Sequence, residues 1–222
     1  MGKMIDFKRP DGSDCRGWLA MAGQERPGVV VIQEWWGLNE QICGIADRFA
    51  AAGYNALAPD LYQGRVTQVP DEVSHMMNGL DFPGATHQDV RGAVDHLRAM
   101  GAGKVGVMGF CMGGALTIGA AVHVPGVAAA ACYYGIPPRE FADPAAIRIP
   151  FLAHFANRDD WCTPQAVDAL ESAMRAAGQH PDVFRYDAAH AFCNERRPEV
   201  YDARCAALAW ERTLGFFAKT LG

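Results

Sequence analysis

The chain has no uninterrupted apolar run near the roughly 20 residues that a membrane-spanning helix needs, and it shows no secretory leader. Met1 through Gly12 carries Lys3, Asp6, Lys8, Arg9 and Asp11 where a leader would be apolar. A basic excess is also missing. Charged residues make up a fifth of the sequence, the net charge is -5, and Lys and Arg are scattered rather than striped, which argues against a nucleic-acid partner. No two of the seven cysteines are spaced as CxxC and their number is odd, so neither a disulfide framework nor a zinc ribbon fits, and no metal is expected. No repeat, linker or low-complexity tract divides the chain. Together these absences lead us to expect a cytoplasmic protein that binds neither membrane nor nucleic acid, and they leave monomer and dimer open.

What is present suits one domain over residues 1–222, because half of the 222 residues are apolar and can fill a single core. Val29-Val30-Val31-Ile32 is continuous and β-branched, as a strand covered on both faces should be. Ile42, Ile45 or Ala46, and Phe49 then recur at helical spacing, and Gly53 stops that helix. Strands over 54–57, 104–108, 127–133, 151–155 and 183–186 alternate with helices around Val90-Val94-Leu97, over 115–122 and over 164–177, the last capped by Thr163. A final helix is expected from Val200, Ala203, Ala207, Trp210, Leu214, Phe217 and Leu221. Residues 60–84 read as irregular, with a short helix near His75, and form a candidate lid. Repeated βα units imply an α/β fold with a mostly parallel, doubly wound sheet.

Gly109-Phe110-Cys111-Met112-Gly113-Gly114 follows an apolar strand and opens a helix, the setting of a GxSxG nucleophile elbow with Cys in place of Ser. The sharp turn demands small residues two before and two after the nucleophile, and Gly109 and Gly113 supply them. Free N–H groups at the helix start favour a thiolate and can donate to the oxyanion of a tetrahedral intermediate, with Met112 N–H as the expected donor. A phosphate-binding loop is the competing reading, but no Lys-Ser/Thr pair follows.

A thiol at neutral pH is mostly protonated, so catalysis needs a base held by a carboxylate, in the chain order nucleophile, acid, histidine. His190 stands just after the last strand, where a loop can present imidazole to the elbow, and the other six histidines lack that setting. The acid falls in the loop after strand 151–155, where Asp159 and Asp160 compete.

Gly109 to Gly114, Gln33-Glu34-Trp35-Trp36-Gly37-Leu38-Asn39, Pro59-Asp60-Leu61-Tyr62, the Asp pair and His190-Ala191-Phe192 together resemble the dienelactone hydrolase family over nearly the whole length. The resemblance implies an α/β-hydrolase fold with no large cap domain, flanked by helices, and a carboxymethylenebutenolidase-like ester or lactone hydrolase that needs no cofactor. It implies Cys111, Asp160 and His190 as the triad, with Asp160 chosen by its spacing to Pro164. Glu34 matches a glutamate that receives the thiol proton, and Trp35 matches a second oxyanion donor through its backbone N–H. Dienelactone-specific members hold the substrate carboxylate with two arginines, one of them four residues after the histidine; here that position is Asn194. Near the other, His75 and Arg65 are the available cations, with Arg196 and Arg197 able to reach back. Trp36, Tyr62, Tyr134, Trp161 and Phe192 are expected to line the pocket with His75 and Asn194. The partner is thus a small ester or lactone. A ligand-binding or sensing protein on the same scaffold is the second reading, and thiol redox chemistry at Cys111 ranks last because no resolving CxxC is present.

Overall fold

A computed structural model describes residues Met1–Gly222. Eight strands form one sheet in the order β1-β2-β4-β3-β5-β6-β7-β8. From β4 (Asn55–Pro59) through β3 (Gly28–Ile32), β5 (Val105–Phe110), β6 (Val127–Tyr133) and β7 (Phe151–Arg158) to β8 (Asp182–Ala189), neighbours are parallel. Every residue of β3, β4 and β5 is buried, which is why these strands read as unbroken apolar runs rather than alternating ones.

Helices cover both faces. On one side α1 (Glu40–Ala51) and the terminal α7 (Ala203–Leu221) pack Phe49 against Trp210 and Phe217 in tilted contacts, with Tyr54 edge-on to Phe49. On the other lie α4 (Arg91–Ala99), α5 (Met112–His123) and α6 (Pro164–Ala176), which bury Val94, Leu97, Leu116, Val167 and Leu170. Full burial of each such side chain contributes about 1.5–3 kcal/mol. Asn39 caps α1, its side chain accepting from Ile42 N–H at 3.2 Å, and Thr163 caps α6 as expected.

Three differences from the sequence reading have clear causes. The polar first twelve residues belong to an antiparallel hairpin, β1 (Lys3–Lys8) on β2 (Asp14–Ala20), whose turn uses Gly12 at φ 86°. As an edge strand β1 has only Phe7 fully buried, too little for a hydrophobic signal. The 60–84 segment is more helical than expected, with α2 (Pro70–Asn78) and a single turn, α3 (Phe82–Gly84), which runs through a π-turn over Ala85–Val90 into α4. Finally, α7 starts after Asp202, which accepts from Cys205 N–H at 2.8 Å, so Val200 precedes the helix. Its buried stripe is Ala209, Thr213, Phe217 and Leu221, whereas Ala203 and Ala207 face solvent.

Candidate active site

The site forms at the carboxyl ends of β3, β5, β6, β7 and β8, as open parallel sheets favour. Between β5 and α5 the backbone of Cys111 is left-handed, at φ 54° and ψ -114°. A side chain added at Gly109 would strike the Gly113 backbone, and one at Gly113 would strike the β3 backbone at Ile32 and Gln33. The glycines are therefore required by close approach of strand and helix. Cys111 N–H is tied to Tyr133 C=O at 2.9 Å, and its own carbonyl accepts from Ala115 N–H at 3.0 Å, so the strained turn is held from both sides. Of the five non-glycine residues with positive φ, three, Cys111, Tyr134 and Ala191, line this one pocket. Such clustering is characteristic of a functional site, since each residue costs of order 1–3 kcal/mol.

His190 is the first residue after β8. The β7–β8 register pairs Arg158 with Ala189, so the next residues along, Asp159 and His190, emerge side by side. Asp159 Oδ2 meets His190 Nδ1 at 2.7 Å. Its Oδ1 accepts from Trp161 N–H and Cys162 N–H, both at 2.8 Å, which fixes the carboxylate. Asp160, the expected acid, is exposed instead: it is one residue further along the turn and points away from the imidazole. The carboxylate on His190 is therefore Asp159, and the spacing to Pro164 misassigned it by one position.

Burial works against the imidazolium of His190, but the hydrogen bond it donates to Asp159, the neighbouring Cys111 sulfur and the Asp159 charge outweigh it and push the pKa up to about 10. Burial likewise works against the Asp159 carboxylate, yet His190 and the two backbone donors hold its pKa below the ordinary value. Nε2 of His190 is buried and has no hydrogen-bond partner, leaving it available to Cys111.

Glu34, just beyond β3, is fully buried and lines the same pocket. Its Oε1 accepts from Tyr134 O–H at 3.2 Å and its Oε2 from Asn194 Nδ2 at 2.7 Å. Burial raises its pKa despite the opposing hydrogen bonds from Asn194 and Tyr134 and the charges of His190 and Arg197. Glu34 makes no hydrogen bond to the Cys111 thiol; its carboxyl oxygens accept from Tyr134 and Asn194 instead.

The cavity measures about 440 Å³, and twelve of its eighteen lining residues are apolar. Trp35, Trp36, Met112, Tyr134 and Trp161 line it, and Trp161 is 68% exposed at the mouth while packing edge-on against Trp35. Tyr62 and Phe192 stand behind the wall: Tyr62 O–H donates to Met112 Sδ at 3.2 Å, and Phe192 packs on Tyr134. Asn194 is also behind it, turned onto Glu34. His75 does not reach the pocket. It is exposed on α2, whose inward side carries Val73, Met76 and the lining residue Met77, which lies two residues and about 200° around the helix from His75. Met77, Phe82, Ile136, Pro137, Pro138 and Arg197 were not foreseen as a set; apart from the cation at 197, nothing in their local sequence marks them. No group of three or more His, Cys, Asp or Glu side chains gathers as a metal-ligand cluster, and no helix is long and apolar enough to cross a membrane.

Strand order, elbow and histidine loop define an α/β-hydrolase. Comparison with known proteins narrows this. The Dienelactone hydrolase family profile matches residues 16–221. "Protein usf" of Aquifex pyrophilus is 34% identical, with all of both chains covered. A protein of Aquifex aeolicus (strain VF5), provisionally named a carboxymethylenebutenolidase, is 31% identical with 98% of each covered. Among solved structures, a dienelactone hydrolase-like promiscuous phosphotriesterase from metagenomic libraries superposes with a TM-score of 0.87 at 25% identity, covering 100% of this chain and 99% of the other. The chain belongs to the dienelactone hydrolase family and is a hydrolase of that kind.

Proposed function

We propose that the protein hydrolyses a carboxylic ester or small lactone through an acyl-thioester on Cys111. The observation that carries this reading is the chain of contacts Asp159 to His190 Nδ1, with the unpartnered Nε2 left for the strained Cys111. His190, made more basic by Asp159, holds the proton taken from the Cys111 thiol, and Cys111 Sγ then attacks the carbonyl carbon as the thiolate of that pair. The oxyanion is received by Met112 N–H, which as the first residue of α5 has no intrahelical partner, and by Trp35 N–H across the cavity. His190 then protonates the leaving oxygen, and with Asp159 holding its tautomer it activates the water that hydrolyses the thioester. In this scheme Glu34 is a buried acid beside the pair rather than the resting partner of the thiol, and Tyr134 and Asn194 position it.

The test is hydrolysis of aryl esters and simple lactones by the parent and by Cys111→Ala. The variant is expected to fold and to lose turnover by about 1,000-fold or more. Full activity in it would remove Cys111 from the mechanism.

A further inference from the structure

Two features of the pocket wall bear on which acyl groups it accepts. First, Asn194, four residues after His190, does not face the cavity; it is buried and donates to Glu34 Oε2 at 2.7 Å. Second, Tyr134 O–H holds Oε1, so both oxygens of the one acidic side chain in the wall are fixed by neutral groups and no cation neutralises it by direct contact. Away from the triad the wall is built from Trp36, Met77, Phe82, Ile136, Pro138 and Trp161. Arg197 is the single Lys or Arg among the lining residues. It lies at the rim, its guanidinium bound to Glu199 Oε1 at 2.7 Å and 5.7 Å from the Trp36 ring centroid, so its charge is already matched.

We infer that this site selects esters and lactones with an uncharged, apolar acyl group and excludes acyl groups bearing a carboxylate, with Glu34 and its partner Asn194 as the excluding pair. The inference rests on the hydrolase reading above and specifies its substrate class. A carboxylate carried into this cavity would leave water without finding a free cation, and it would approach the oxygens of Glu34; both oppose binding. A hydrocarbon acyl chain would instead exchange water for Trp, Phe, Ile and Pro surfaces, which favours it in proportion to the area covered. Discrimination therefore comes from desolvation and like polarity at the inner wall rather than from a shape difference.

A matched ester pair reads this directly. In 4-nitrophenyl hexanoate and 4-nitrophenyl hydrogen adipate the leaving group and chain length agree, and only the terminal methyl or carboxylate differs. The parent is expected to show kcat/KM about 100-fold or more in favour of the hexanoate, and Arg197→Ala is expected to keep that ratio within about threefold. Equal rates, a preference for the adipate, or an adipate rate that collapses in Arg197→Ala would overturn the inference. Cys111→Ala, run on both esters, separates the two levels. If it is inactive while the parent shows no preference, the substrate class is wrong and the hydrolase reading stands. Undiminished turnover in Cys111→Ala would overturn both.

Discussion

One fully buried histidine and one half-buried histidine lie on neighbouring parts of the same sheet, and their surroundings give them opposite properties. His154, in the middle of β7, has both ring nitrogens satisfied, Nδ1 by Tyr186 O–H at 2.8 Å and Nε2 by Thr213 Oγ1 at 3.0 Å. It is sealed under α7, stacked on Phe184, and burial with the nearby Arg212 charge pushes its pKa down to about 3. His190, past the end of β8, has one nitrogen on Asp159 and the other without a partner, and its pKa is pushed up to about 10. A satisfied neutral imidazole is a packing and hydrogen-bonding element. A half-satisfied one held by a carboxylate is equipped for proton transfer. The contrast turns on the Asp159 carboxylate and the free second nitrogen of His190, together with the deeper burial of His154.

The strongest challenge to this contrast is to remove each ring in turn. His190→Ala is expected to lower kcat/KM by about 1,000-fold or more, whereas His154→Leu is expected to leave kcat within about threefold in the folded fraction. Steady-state kinetics and thermal melts on the same preparations decide it, and a large kcat loss in His154→Leu would dissolve the distinction.

A finer challenge compares the adjacent carboxylates. Asp159→Asn is expected to cut kcat by about 100-fold or more, because an amide neither favours the imidazolium nor enforces the tautomer; Asp160→Asn, at an exposed position, is expected to stay within about twofold. The reverse order would restore the acid that spacing alone suggested.

Loss of His154 should also carry a stability cost. His154→Leu leaves Tyr186 O–H and Thr213 Oγ1 without this partner, and an unfolding free energy lower by about 1–3 kcal/mol is expected from urea titrations. Tyr186 retains Arg212 at 3.0 Å and Thr213 retains Tyr133 O–H at 2.6 Å, which keeps the cost moderate.

The smallest effects are those of pH. For His154 the folded pKa of about 3 lies below the unfolded value, so the unfolded chain binds more protons between about 6.5 and 3 and stability falls as pH falls through that window. The slope is at most about 1.4 kcal/mol per pH unit for one such group. For His190 the folded pKa lies above the unfolded one; its contribution is complete below about 6.5 and disappears as pH rises through about 10. Urea midpoints from pH 4 to 10 should therefore lose part of their acid sensitivity in His154→Leu and part of their alkaline sensitivity in His190→Ala. Parallel profiles for all three proteins would refute the assigned shifts.

The same pair shows what a sequence can and cannot disclose. His190 was legible because the loop after the last strand has a chemical reason to hold a base, and Cys111 because Gly109 and Gly113 are dictated by the close approach of strand and helix. The alternation of apolar strands and helices identified the parallel sheet in the same way. Asp159 was not separable from Asp160, because the choice depends on the register that sets Arg158 beside Ala189, a long-range property with no local signature. Asn194 was visible as a departure from the arginine of dienelactone-specific members, but its turn onto Glu34 depends on the fold of the loop that follows His190. β1 escaped notice because an edge strand with one fully buried residue lacks periodicity.

The most direct test of the central claim, Cys111 as the group that takes the acyl chain, is mass spectrometry of protein quenched in acid during turnover of 4-nitrophenyl hexanoate, followed by peptide mapping. We predict a hexanoyl increment on the peptide containing Cys111, lost on treatment with hydroxylamine and absent from Cys111→Ala. Sustained turnover with Cys111 unmodified, or the acyl group found on another residue, would contradict it.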